Sequence, residues 1–549
     1  MGSGVQRKQG IFKKLTTTNK IKRKNMTGLL VGLLLAGLLV GCGNKTITTT
    51  STDTTATDNT ATDTVASQGT ATALKYKVSY DGIATKAVGA KASVHDPSII
   101  KVGDTFYLFG SHMEAASSTN LRQWKSFATG VNASNPLFTN LFTDEDVFAF
   151  AGDNGGGSYS VWAPDVIYNK VMKKYVMYFC TSSTFIKSNL CYATADSVDG
   201  PYTWQGTLLY SGFTSDTISE TDVVKIVGEE NADTYLKGDE YNNNLWPNCI
   251  DPTVFYDADG KMWMVYGSWS GGIFLLEVDE TTGKIIHPEE DKDNSIDAYF
   301  GKRLMGGNHH SIEGPYILYD AASSYYYLFV SYGSLTREGG YQIRVFRSKT
   351  VDGEYVDTTG SNPGTDRFHY KYGLKLMGNY YLPSLTAAYM APGHNSAMID
   401  QDDGKLYIAY HTRFDAGTEY HEPRVHQMFI NELGWPVVAP YAYDGETISI
   451  TGYDKKDVTG MYYLVNHGDG IDATINEPVM IELLEDGTIV GDQLMGTWTM
   501  TDNSYYMTLT YGDVTYSGVF LKMNDEAGTP VMTFTAAGTN NKSIWGVKY

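Results

Sequence analysis

The sequence predicts an all-β protein, a five-bladed β-propeller followed by a small C-terminal β-barrel or sandwich, on three observations. Gly and Tyr are abundant at 57 and 41 of 549 residues, while Pro is modest at 16. Short β-branched and aromatic runs bounded by turn residues dominate the chain, and no long stretch carries helical periodicity. One pattern also recurs five times, which is the signature of a repeat architecture.

The copies are "HDPSIIKVGDTFYLFGS" from 95, "WAPDVIYNKVMKKYVMYFCTS" from 162, "IDPTVFYDADGKMWMVYGSWS" from 250, "IEGPYILYDAASSYYYLFVSYGS" from 312 and "HNSAMIDQDDGKLYIAYHTR" from 394. Each is a polar or acidic head, a short apolar run, a turn and a second aromatic-rich strand. The turns "YDADGK" and "DQDDGK" carry the Asp-Gly pair of tight hairpins. Starts 67, 88, 62 and 82 residues apart leave room for two further strands and variable loops per copy, the anatomy of a four-stranded blade. The innermost strand of a blade runs along the central axis, so the five heads should meet on one face. They contribute His95, Asp96, Trp162, Asp165, Asp251, Glu313, His394 and Asn395. Stability alone gives no reason to crowd acids at an axis, where like charges repel.

Four regions follow in chain order. Residues 1–43 read as a targeting segment: "KKLTTTNKIKRKN" precedes the uncharged "GLLVGLLLAGLLVG", too short to span a membrane but suited to a signal-peptide core. Its end, "LVGC", resembles a bacterial lipobox with Cys42 as the lipidated mature N-terminus. Residues 44–74, almost all Thr, Ser, Asp, Asn and Ala, are a flexible tether reaching roughly 30 Å. The propeller occupies 75–455. After it, 456–549 lacks the head pattern and alternates as short antiparallel strands. An exported, surface-held monomer is expected, touching the membrane only through its lipid. Cys180 and Cys191 flank "TSSTFIKSNL" and could bridge across a hairpin in an oxidising compartment.

The net charge of −20 disfavours nucleic acid and polyanions and suits a neutral partner such as an uncharged sugar polymer. Three carboxylates converging on one pocket suit glycoside hydrolysis, with one acid to protonate the leaving oxygen and one base to activate water. A third carboxylate raises the acid's pKa by like-charge repulsion. Asp-Pro at 96 and 251 also occurs as plain turn chemistry at strand entry. Glu313 before Gly-Pro does not.

Taken together, "HDPSII", "IDPTVFYD", "SIEGPYILY", "YGSWSGGI" and "GHNSAM" over about residues 90–445 resemble glycoside hydrolase family 43, most closely its endo-α-1,5-L-arabinanases. The trailing domain resembles the C-terminal β-domain of the larger bacterial members. The resemblance implies inverting, single-displacement endo-hydrolysis of linear plant cell-wall arabinan and arabino-oligosaccharides. By it, Asp96 is the general base, Glu313 the general acid and Asp251 the carboxylate that orients the acid and tunes its pKa. It makes His394 the partner of one calcium ion in the central channel, and places His112, Asn248, Ser268 and His411 with Trp162 at the substrate. Trp162 suits a sugar platform or blade core equally. His309 and His310, adjacent on an extended segment, point oppositely and read as a loop near the cleft rather than a chelate. Two alternatives stay open: an exo-acting arabinofuranosidase or β-xylosidase of the same family, and a non-catalytic arabino-oligosaccharide-binding lipoprotein.

Overall fold

The computed structural model describes residues 76–143, 147–491 and 494–549. The leader, Cys42 and the tether expected over 1–74 lie outside the described residues.

Five antiparallel sheets surround one axis, each built from one continuous piece of chain. The first blade holds Ser98–Val102, Thr105–Gly110, Glu114–Ser118 and Lys125–Ala128, paired in that order. The second holds Ser160–Asn169, Lys174–Ser182, Ser188–Ala195 and Thr203–Ser211. The third is enlarged by two short strands around Thr253–Tyr256, Met262–Tyr266, Ile273–Asp279 and Gly301–Met305. Ile312–Asp320 opens the fourth blade and Tyr389–Ile399 the fifth. The inner strands contact one another in a closed ring, blade 1 touching blade 5. No strand is shared across that closure. Apolar packing of Ala90, Val94, Ile99 and Leu108 on Tyr407, Ala409 and Val425 holds it, with Lys101 on Asp400 at 2.7 Å and the Ile99 N–H on Ser396 Oγ at 3.1 Å.

The five inner strands enter the hub through the same irregularity. Asp96, Ala163, Asp251, Gly314 and His394 occupy equivalent places and all are left-handed, with φ of 53°, 41°, 55°, 56° and 45°. Ladder pairing begins or resumes two residues later, at Ser98, Asp165, Thr253, Tyr316 and Ser396. A non-glycine residue held there costs about 1–3 kcal/mol, so neighbouring contacts must fix it. Inter-blade hydrogen bonds do so: Ser98 Oγ donates to Asp165 Oδ1 at 2.6 Å, the Val254 N–H to Asp165 Oδ2 at 2.7 Å, and Thr253 Oγ1 to the Pro315 carbonyl at 2.9 Å. Asp165 therefore ties three blades together from two places beyond the hub. The structure also shifts the expected register: Gly314, not Glu313, is the counterpart of Asp96 and Asp251. Glu313 reaches the hub from the preceding position.

Residues 460–548 form a closed barrel of eight antiparallel strands, Gly460–Asn466 pairing with Ser543–Lys548. Its apolar runs serve two cores. In "VFL" of the strand Val514–Asn524, Phe520 faces the barrel interior with Tyr462 and Phe534, while Val519 and Leu521 pack on the propeller beside Trp435 and Tyr410. That two-sided burial explains a continuous apolar run where a barrel strand facing water would alternate. Cys180 and Cys191 are not bridged. In the pairing of their strands Cys180 stands opposite Leu190 and Cys191 opposite Phe179, so the two sulfurs enter different cores.

Candidate active site

A cleft of about 750 Å³ opens over the hub, lined from all five blades by residues including Asp96, Trp162, Asp251, Glu313 and His394. His112, Asn248 and Ser268 also line it. His411 does not: it is fully buried and stands behind Asp96, its Nδ1 accepting the Asp96 N–H at 3.2 Å. Trp162 is half-buried, packs on the second-blade core, stacks on Phe185 at 5.8 Å and lines the cleft, so it joins core and groove. Asn248 Nδ2 donates to the Phe185 carbonyl and fixes that loop. Phe185 is 75% exposed at the cleft wall. His309 also lines the cleft, beside Trp269 at 5.3 Å.

The three carboxyls have unlike surroundings. Asp96 accepts from Ser111 Oγ at 2.5 Å on Oδ2, and its Oδ1 lies 2.8 Å from His95 Nδ1 and 3.2 Å from His394 Nδ1. Burial pushes this carboxyl up, but His394 and the His95 hydrogen bond pull harder and hold it well below the ordinary carboxylate range. Glu313 Oε2 accepts from Trp269 Nε1 at 2.7 Å and from Ser268 Oγ at 3.1 Å. Burial raises its pKa, with Asp96 adding to the rise, against the Tyr341 hydroxyl, His394 and Ser268. Asp251 Oδ2 accepts the Gly314 N–H at 3.1 Å. Burial and the nearby Glu313 and Asp96 push it up to about 7 against the pull of His394. The His394 imidazole is buried, which lowers its pKa, but Asp96, Asp251 and Glu313 outweigh burial and raise it.

Glycines make the hub this tight. A Cβ on Gly314 would stand 3.0 Å from the His394 ring, and one on Gly110 only 2.2 Å from the His95 carbonyl oxygen. Ser111, Trp269, Phe185 and Tyr341 were not identified by sequence reasoning. A signal existed for the serines: Gly-Ser closes the second strand in blades 1, 3 and 4, at 110–111, 267–268 and 333–334. Two of these serines donate to hub carboxyls and the third, Ser334, lines the cleft.

A carboxyl held well below the ordinary range and a second raised above it, facing one groove, suit the splitting of an acetal between sugars, the chemistry of a glycoside hydrolase. The chain belongs to glycosyl hydrolases family 43, matching it over residues 88–240 and 236–436. Residues 440–546 match a C-terminal lipocalin-like domain. The chain is 40% identical over 481 residues to the extracellular endo-α-(1→5)-L-arabinanase 2 of Bacillus subtilis, covering 85% of this chain and 95% of that one. It is 38% identical to the extracellular endo-α-(1→5)-L-arabinanase of Thermotoga petrophila, covering 83% and 94%. The crystal structure of the Thermotoga petrophila endo-1,5-α-L-arabinanase superposes with a TM-score of 0.73 over 85% of this chain and 100% of that one at 38% identity. The family 43 YxiA protein of Bacillus licheniformis does so with a TM-score of 0.74 over 84% and 99% at 40% identity.

Proposed function

We propose that this protein is an exported endo-arabinanase that cuts internal α-1,5-L-arabinofuranosidic bonds of linear arabinan by inverting single displacement. The observation that supports the reading is the split at the hub: the Asp96 carboxyl is held well below the ordinary range and the Glu313 carboxyl is raised above it. Asp96 takes a proton from the attacking water. Glu313 delivers one to the leaving oxygen, and Ser268 and Trp269, both donating to Oε2, leave Oε1 for that proton. Asp251 accepts the Gly314 N–H next to Glu313 and so holds the backbone that carries the acid. Trp162 and Phe185 offer aromatic faces to the sugar chain, and His112 and Asn248 stand at the cleft wall. His411 acts from behind Asp96. Tethering at Cys42 would hold the enzyme at the cell surface. Incubating the protein with debranched arabinan tests the reading: mixed oligosaccharides at early times are expected, and arabinose alone would overturn endo action in favour of an exo-acting member of the family.

The calcium expected at His394 belongs to the same proposal. Calcium takes six to eight oxygen ligands, so one imidazole suits it only if water supplies the rest. The surroundings fit: the neighbouring Asn395 is buried with both carboxamide atoms lacking a protein partner, and three carboxyls lie around the ring. When bound, the ion supplies positive charge at an acidic hub. Added calcium should raise the melting temperature of chelator-treated protein, and His394→Ala should abolish that rise. No shift in either protein would remove calcium from the proposal.

A further inference from the structure

His95 and His411 stack face to face beside Asp96, ring centroids 3.8 Å apart and planes 22° apart, with His95 at the cleft wall and His411 fully buried. Their partners dictate opposite tautomers. His95 Nε2 lies 3.3 Å from Arg413 Nη2. A guanidinium has donors only, so Nε2 must accept and the His95 proton must sit on Nδ1, aimed at Asp96 Oδ1 2.8 Å away. His411 Nδ1 receives the Asp96 N–H at 3.2 Å, which also can only donate, so its proton must sit on Nε2. His411 Nδ1 is 3.6 Å from Asp96 Oδ1, and as an acceptor it offers that oxygen no hydrogen bond. Ser111 repeats the device on the other oxygen: Oγ accepts the Ala163 N–H at 2.9 Å, which turns its own proton toward Asp96 Oδ2.

We propose that His95 is a positioning residue for Asp96, locked by Arg413 as the Nδ1–H tautomer, and that with Ser111 it clamps the carboxylate in one rotamer at the cleft. The proposal rests on Asp96 being the base. The test is nitrogen NMR of the intact protein labelled with ¹⁵N-histidine. His95 should show a protonated Nδ1 and a bare Nε2, and His411 the reverse; two Nε2–H rings would overturn it. His95→Asn assigns the signals, and Arg413→Met, which should move His95 toward the Nε2–H form, assigns them independently if that variant does not fold. In kinetics on arabinan, His95→Ala should lower kcat about 100-fold with KM little changed, the loss expected when a reacting group is misplaced by an ångström. His95→Asn, whose amide can replace Nδ1–H, should recover about tenfold of it and His95→Gln should not. Equal losses in all three variants would reduce His95 to packing. If the wild-type protein releases nothing from arabinan, the functional reading fails, while the tautomer measurement still decides the clamp.

Discussion

The hub of the propeller and the seam between propeller and barrel both bury side chains of like charge, yet those of the hub stand on or beside left-handed backbone. At the seam Arg344 is fully buried in the fourth blade. It donates to Gln342 Oε1 at 3.1 and 2.9 Å, to the Tyr372 and Gly373 carbonyls at 3.1 and 3.2 Å, and to the Asp469 carbonyl of the barrel at 2.6 Å. Beside it Lys375 Nζ donates to the Gly470 carbonyl at 2.9 Å. Every acceptor of these two cations is neutral, and the bonds to the Asp469 and Gly470 carbonyls join the propeller to the barrel. At the hub three carboxyls share the His394 imidazole, in backbone positions that cost conformational energy. Burial of charge by itself is therefore a poor sign of function. Uncompensated repulsion inside strained backbone is a good one.

Substitutions can break this contrast from either side. The largest effect belongs to Glu313→Gln, which keeps the shape and removes the proton donor: polymer hydrolysis should fall on the order of 10³-fold with the melting curve unchanged. Retention of most activity would place the acid elsewhere. Arg344→Met should do the opposite, lowering unfolding free energy by about 3 kcal/mol as carbonyls are stranded, with kcat of the folded protein preserved. A matching loss of kcat would show the seam to be part of the machinery. The smallest effect is a displaced pH profile. Glu313 works protonated, so activity falls as pH rises through its raised pKa. Ser268 donates to the ionised form and lowers that pKa, so Ser268→Ala should move the alkaline limb of kcat/KM to higher pH. Movement to lower pH would contradict the assignment.

Much of the contrast was legible in the chain. The repeated polar head and the Asp-Gly turns expose the blades, because hairpin chemistry is local, and Asp96, Asp251 and Glu313 stand out as acids in the heads of the copies. Placing Glu313 in register with the two aspartates was off by one, since the left-handed kink belongs to Gly314 and backbone handedness leaves little trace at a position that accepts Asp, Ala, Gly and His. Trp269 lies within "YGSWSGGI", but its bond to Glu313 crosses from one blade to the next and leaves no local mark in the sequence. His411 shows the converse: its place in the repeat pointed to the cleft, but the Asp96 N–H claims its ring and keeps it underneath.

Because each blade is one continuous segment, the ring closes only when the first blade meets the fifth. Asp96 comes from one side of that junction, and His394 and His411, which set its charge and its backbone, come from the other. A chain whose first blade has not docked onto the fifth can hold Glu313 and Asp251, but it lacks the His394 contact that keeps the Asp96 carboxyl low. With Asp96 as the base, only molecules in which the first and fifth blades have met would hydrolyse arabinan, and the activity of a preparation would count the rings that are shut.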